Sequence, residues 1–290
     1  MSNKNIKLLL VIFVALVGFL AFRQYAPSLN KETSSYTEKT KAVSTQSIAS
    51  IEISNSSGSV QLKKEADTWK VNSKKADVTK INSLLSSILP AIAPELIAQT
   101  DKRHKELELT DDLATKIKLD NKLTVLIGKS GGSGVYVRFD TEPTVYLLKT
   151  NPSVTSTASE WYDKTVLSLD QTKVIKITFR EGNSITMLAK EGDKWKGGSK
   201  NEEVKKDKVD AVLSQVSNLT AQSLFDAKEG STYPKQANLT FTIEYDGKLE
   251  TLEFYKGDSD YLVKRQSDGE QFVVSESSIS SVISAPEDIL

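Results

Sequence analysis

The chain has 290 residues, enough for about two domains at the usual 100 to 200 residues each, and its 38 Lys and Arg balance 38 Asp and Glu. That balance leaves no electrostatic footprint for nucleic acid or for an anionic membrane surface, so no nucleic-acid partner is expected. The lack of cysteine removes disulfides, thiolate metal sites, a cysteine nucleophile and a lipidated cysteine together.

Residues 8–22 form an unbroken apolar run, preceded by Lys4 and Lys7 and followed by Arg23. The run is shorter than the roughly 20 residues of a relaxed membrane span, and its length also fits a signal-peptide core. A cleavage site needs small residues at A-x-A spacing, and Phe19 before Ala21 or Gln24 before Ala26 puts a bulky side chain first. An uncleaved transmembrane helix is therefore expected within residues 1–23, with the basic tail cytoplasmic and the rest outside the cytoplasm. Residues 24–46 are mostly Ser, Thr, Lys and Glu. They carry too few apolar side chains to fold alone and read as a flexible tether.

The next segment is written twice. Residues 64–70 read Lys-Glu-Ala-Asp-Thr-Trp-Lys and residues 190–196 read Lys-Glu-Gly-Asp-Lys-Trp-Lys, an offset of 126. The same offset maps Ile48, Ile51 and Ile53 onto Val174, Ile177 and Phe179, and Leu62 onto Leu188. Self-similarity of this kind predicts two tandem repeats, at 47–150 and 170–290, joined by a linker at 151–169. Each repeat opens with short strands joined by turns. The hairpin carries Trp69 or Trp195 on its return strand, with Gly192 where a tight turn favours positive φ.

A helix follows in each repeat. Ile81, Leu84, Leu85 and Ile88 fall at i, i+3, i+4 and i+7 after Asp77, and Val209, Val212, Leu213 and Val216 do the same after Asp207. Both aspartates read as helix caps, and Pro90 and Pro94 end or kink the first helix. Further strands are predicted at 123–127, 135–139 and 145–148, answered by 239–245, 249–255, 261–264 and 272–274. The expected fold class is thus α+β, a transmembrane helix followed by two repeats, each an antiparallel sheet with a packed helix. Trp161-Tyr162 is too apolar for a free linker and should dock the connection onto one of the repeats.

Several stretches together resemble a known bacterial family. They are Leu62-Lys63-Lys64-Glu65, Trp69-Lys70-Val71, Ala76-Asp77, Ile127-Gly128-Lys129, Val135-Tyr136-Val137, Val145-Tyr146-Leu147, and Trp161-Tyr162-Asp163-Lys164 with Val166-Leu167. The chain is similar over residues 48–274 to the family called domain of unknown function 4340. The resemblance implies a membrane-anchored extracytoplasmic α+β protein, found in some genomes beside gliding-motility-type ABC transport components, and it brings no catalytic residues.

Tests for chemistry find only structural readings. Gly128-Lys129-Ser130 matches the end of a phosphate-binding loop, but Leu123 stands where its first glycine belongs and a strand follows in place of a helix, so no nucleotide is expected. His104, the sole histidine, has charged neighbours and reads as a solvated surface residue. Asp111-Asp112 and the pair Asp258 and Asp260 fall at turns, where Asp bonds the backbone. Trp69, Trp195, Tyr136, Tyr146, Tyr255 and Tyr261 read as packing residues. No catalytic, cofactor-binding or metal-binding residue is assigned, and no cofactor is expected. The function that fits is a non-enzymatic interaction module of the inner membrane, accessory to an envelope or ABC-type transport complex. The alternatives are an envelope polysaccharide- or peptide-binding protein using a cleft between the repeats and, after it, a hydrolase. Trp161 in a concave site would favour either.

Overall fold

The computed structural model describes residues 33–41, 43–89, 94–198, 202–226 and 233–289. The expected transmembrane helix lies outside them, and among the described residues no helix is long and apolar enough to cross a membrane. They divide into two compact units, split between Trp161 and Tyr162. The protein is mainly β, with four helices of nine to eleven residues among the described residues, where the α+β expectation gave the helices more weight.

Unit 1 contains strands β1 (Ser50–Asn55), β2 (Gly58–Glu65), β3 (Thr68–Val71), β4 (Lys74–Lys75), β5 (Glu95–Ala98), β6 (Thr115–Leu119), β7 (Leu123–Ser130), β8 (Val135–Phe139) and β9 (Val145–Leu148). They form one antiparallel sheet in the order β4-β3-β2-β1-β6-β7-β8-β9-β5. Its helices are α1 (Thr33–Lys41) and α2 (Val78–Ile88). Unit 2 contains β10 (Thr165–Ser168), β11 (Val174–Glu181), β12 (Ser184–Glu191), β13 (Lys194–Gly197), β14 (Glu202–Glu203), α3 (Lys206–Val216), β15 (Asn218–Thr220), β16 (Ser223–Leu224), β17 (Leu239–Tyr245), β18 (Lys248–Lys256), β19 (Asp260–Arg265), β20 (Gln271–Ser275) and α4 (Ser280–Asp288). Its nine-stranded antiparallel sheet has the order β14-β13-β12-β11-β17-β18-β19-β20-β16, position for position that of unit 1.

The register repeats as well. Ile51 faces Leu62 and Ile177 faces Leu188; Lys64 faces Trp69 and Lys190 faces Trp195; Val137 faces Tyr146 and Val263 faces Phe272. Two similar antiparallel sheets of this kind are consistent with a tandem repeat. Alternation drives each strand's burial: Ile51 and Ile53 are fully buried while their neighbours are not, because successive side chains point to opposite faces. Trp69 and Trp195 are both core residues, as expected.

The hairpin between β2 and β3 turns at Ala66 and Asp67, with φ of 45° and 66°, and its counterpart has Gly192 at 62°. Positive φ strains a side-chain-bearing residue more than glycine, so unit 2 carries the easier residue there. The two units then fall out of register by two residues. Ala76 donates its N–H to Trp69 O, and the equivalent bond in unit 2 runs from Val204 to Trp195 O, a span of nine residues where unit 1 uses seven. Across the helix the offset is 128, which places α2 over α3 and Asp77 over Lys205.

The two helices are consequently capped differently. Asp77 accepts from the N–H groups of Thr79 and Lys80, while Lys205 makes no side-chain cap and Asp207 lies inside the first turn of α3. The expectation that Asp207 caps its helix is corrected. Its charge sits in the first turn of α3, where the helix dipole favours an anion. Each helix buries its apolar stripe, Ile81, Leu84, Leu85 and Ile88 in α2 and Val209, Val212, Leu213 and Val216 in α3. In unit 2 these side chains share a core cluster with Trp195, Phe179, Phe241 and Phe254. At about 1.5–3 kcal/mol for each fully buried large side chain, four per helix outweigh any intrinsic helix propensity.

Two expectations about connections are overturned. The expected tether at 24–46 contains α1, and Tyr36 pins it: the ring is fully buried, stacks on Phe139 at 4.7 Å, meets Tyr146 edge-on at 5.1 Å and donates its hydroxyl to Ile88 O. One aromatic in a polar stretch supplies enough buried surface to dock a short helix. The expected linker at 151–169 is divided between the units. Residues up to Trp161 belong to unit 1, and β10 pairs with β15 in unit 2. Trp161 is buried, and its carbonyl accepts the N–H of Asp77 at 2.8 Å; Ile289, also buried, accepts the N–H of Lys205 at 3.4 Å. Trp161 and Ile289 are 128 residues apart and close their units in the same way.

Candidate functional site

Most polar groups drawn inward serve their own backbone. Arg138 on β8 sends Nε to Leu109 O at 2.8 Å and Nη1 to Phe139 O and Asp140 O. In unit 2, Arg265 at the end of β19 donates Nη1 to Thr165 O and Val166 O, both at 2.8 Å, and so clamps β10. Burial disfavours charge on both Arg265 and Asp268, but their mutual hydrogen bonds outweigh it, holding the guanidinium above and the carboxyl below their ordinary pKa ranges. Glu250 on β18 accepts from the N–H of Thr251 and the hydroxyl of Ser267.

His104 corrects the expectation of a solvated residue. It is buried, and Nε2 lies 2.8 Å from Pro143 O. A carbonyl only accepts, so Nε2 carries the proton. The charged neighbours in sequence point away while the imidazole ties the 101–114 segment to the turn before β9. That segment covers a small cluster of Leu107, Leu109, Ala114, Leu126 and Val145. Gly128 lies against it: a Cβ there would stand 2.1 Å from Leu107 O. The glycine that suggested a phosphate loop is required by this backbone approach. Asp111 pairs with Lys116 at 3.0 Å, and Asp260 accepts the Tyr233 hydroxyl at 2.9 Å, whose pKa burial and that bond push up to about 12. Tyr146 and Tyr261 are buried, Tyr136 packs on the small cluster, and Tyr255 donates to Glu253.

One concave feature stands apart. On unit 1 a groove of about 280 Å³ is lined by Thr79, Lys80, Ser83, Leu84 and Ser87 of α2 and by Asn151, Ser153, Thr155, Glu160 and Trp161. The helical residues recur at three- and four-residue spacing because that places them on one face. The second wall uses alternate residues, as an extended chain does. The wall is fastened at both ends: Thr150 Oγ1 donates to Ser87 O at 2.9 Å, and Lys80 Nζ donates to Glu160 O at 2.8 Å. Trp161 Nε1 donates to Thr155 O at 3.0 Å, which fixes the indole against the base of the groove.

At the equivalent helix face of unit 2 the residues differ. Gln215 stands at the position of Ser87; its Nε2 reaches Ser280 Oγ at 3.1 Å and its Oε1 accepts the N–H of Ser281 at 2.8 Å. The longer amide thus fastens α4 onto α3. Of the candidates read from the sequence, Trp161 lines this groove, and His104, Asp111, Asp112 and Trp69 of the same unit are not among its lining residues. The hydroxyl ladder Thr79, Ser83, Ser87 escaped sequence reading because only the apolar side of the helix was followed. Its signal was present as three small polar residues at i, i+4 and i+8.

Fold and groove define a sheet-rich protein of two similar antiparallel sheets, with a polar groove on one helix face of unit 1. A family model, domain of unknown function (DUF4340), matches residues 69–238, more than half of the chain. The chain belongs to this family. No curated protein and no solved structure matches it.

Proposed function

We propose that the chain is a non-enzymatic, membrane-anchored extracytoplasmic interaction module, made by duplication of one α+β unit and accessory to an envelope or ABC-type transport complex. A single span within residues 1–23 holds it in a bacterial inner membrane, and both units stand outside the cytoplasm. The observation that carries this reading is the use of the inward polar side chains. Arg138, Arg265, Glu250 and His104 bind the backbone of their own unit. Groups bound to their own backbone stiffen a scaffold and are not poised for proton or group transfer. The apolar run and its flanking lysines support the placement.

In-cell crosslinking of the full-length protein, followed by mass spectrometry, tests the reading. Recovery of a permease or another envelope protein is expected, and recovery of nothing but the chain itself contradicts it. A second reading, a module that binds an envelope polysaccharide or peptide, is favoured by Trp161 lining a concave site on unit 1.

A further inference from the structure

We infer that the unit 1 groove binds a neutral glycan, one or two sugar rings long; this deepens the second reading above and rests on it. The groove's volume of about 280 Å³ is at the low end for small-molecule sites, which run from about 300 Å³. That excludes a large ligand and suits a ring or two lying along the helix.

The lining sets the ligand's charge. Its two ionised side chains belong to Lys80 and Glu160. The ammonium already donates to the Glu160 carbonyl at 2.8 Å and sits 4.0 Å from the carboxylate. An anionic ligand would meet the carboxylate, and a cationic one the ammonium. The other polar groups are hydroxyls and one amide: Thr79, Ser83 and Ser87 on the helix, and Asn151, Ser153 and Thr155 opposite. A hydroxyl both donates and accepts, as does the amide; Ser87 Oγ already donates to Ser83 O and Thr155 Oγ1 already accepts the N–H of Thr157, so Ser87 offers a ligand its acceptor side and Thr155 its proton. A ligand matched to such walls carries neutral groups that also do both, and sugar hydroxyls have that property.

Spacing agrees with a chain of rings. Residues four apart on a helix lie about 6 Å apart along its axis, so Thr79, Ser83 and Ser87 form a ladder about 12 Å long. Leu84 and Trp161, both 2 % exposed, close the base between the walls, so the hydroxyls of the walls carry the recognition. A peptide fits less well. Extended peptides are held by the main chain of a free strand edge, and this groove is walled by a helix and a non-strand segment.

The test uses the full-length chain in lipid nanodiscs, free of sugar-headed detergents, and saturation-transfer NMR with N-acetylglucosamine and its neutral disaccharide. A blocked neutral dipeptide is the competing probe. Ser83→Gln, at an exposed helix position, and Ser87→Gln, which copies the residue of unit 2, should each weaken sugar binding at least fivefold. Ala211→Gln, the position in α3 equivalent to Ser83, should leave it unchanged. Sugar binding that ignores both serine substitutions overturns the site. Dipeptide binding lost in Ser83→Gln, with no sugar binding, overturns the glycan assignment while keeping a ligand groove. Binding of neither probe overturns both.

Discussion

The two units share strand order, register and the packed helix, and they differ in what lies on the outer side of that helix. In unit 2, Gln215 binds Ser280 and Ser281 and holds α4 across the face. In unit 1 the same helical position is Ser87, a one-turn helix ending at Trp161 replaces α4, and a groove remains. The units also begin differently: unit 1 is opened by α1, docked through Tyr36, and unit 2 by β10, clamped through Arg265. Buried apolar positions keep the frame because changing them leaves cavities. Solvent-facing positions on the helix carry no such cost, so this is where two similar units can acquire different tasks.

The strongest way to break the comparison is at the opening elements. Tyr36→Ala removes a fully buried ring that stacks on one aromatic and meets a second edge-on, and a loss of about 3 kcal/mol is expected. Hydrogen exchange should show the loss in α1, α2 and β8 and leave unit 2 protected. If unit 2 opened equally, the two units would not be separate folding entities. Gly128→Ala forces a Cβ against Leu107 O and should cost about 1–3 kcal/mol in urea unfolding, again confined to unit 1.

The caps offer a way to sharpen it. Asp77→Ala should destabilise α2 by about 1 kcal/mol, and Lys205→Asp, which supplies α3 with the cap it lacks, should stabilise unit 2 by about 0.5–1 kcal/mol. Thermal melts of the two variants should therefore move in opposite directions.

The smallest expected effect is a pH dependence of β10 in unit 2. Asp268 has its pKa lowered in the folded state, because the Arg265 and Glu270 hydrogen bonds outweigh its burial. A depressed acid stabilises the fold above its unfolded pKa of about 4, and that contribution fades as pH falls through the lower folded value. Exchange protection of β10 should drop in this acidic window, and Asp268→Asn should abolish the drop while lowering protection at neutral pH.

Much of the frame was legible in residue order. The offset of 126 found the paired sheets because both tryptophans and the alternating Ile and Leu positions serve the same core contacts. The helices were legible from their apolar stripes. Docking by a single residue was not: Tyr36 lies in a stretch whose average composition is that of a tether, and average composition does not register one ring that finds a pocket. His104 was misread for the same reason, since its partner, Pro143 O, is 39 residues away. The short strands β5 and β16 carry no period long enough to see. The groove could be found only in part, because its second wall is placed by the Thr150 and Lys80 hydrogen bonds and by no pattern of its own.

The central claim is that the module engages its surroundings through the helix face that lines the groove of unit 1 and not through the equivalent face of unit 2, onto which Gln215 fastens α4. A photocrosslinking amino acid placed at Thr79, on the groove rim, or at Asp207, the equivalent position of α3, in the full-length protein in its native membrane tests this directly. The account predicts adducts from position 79 and none above background from 207. Equal yields from both, or adducts from 207 alone, would contradict it.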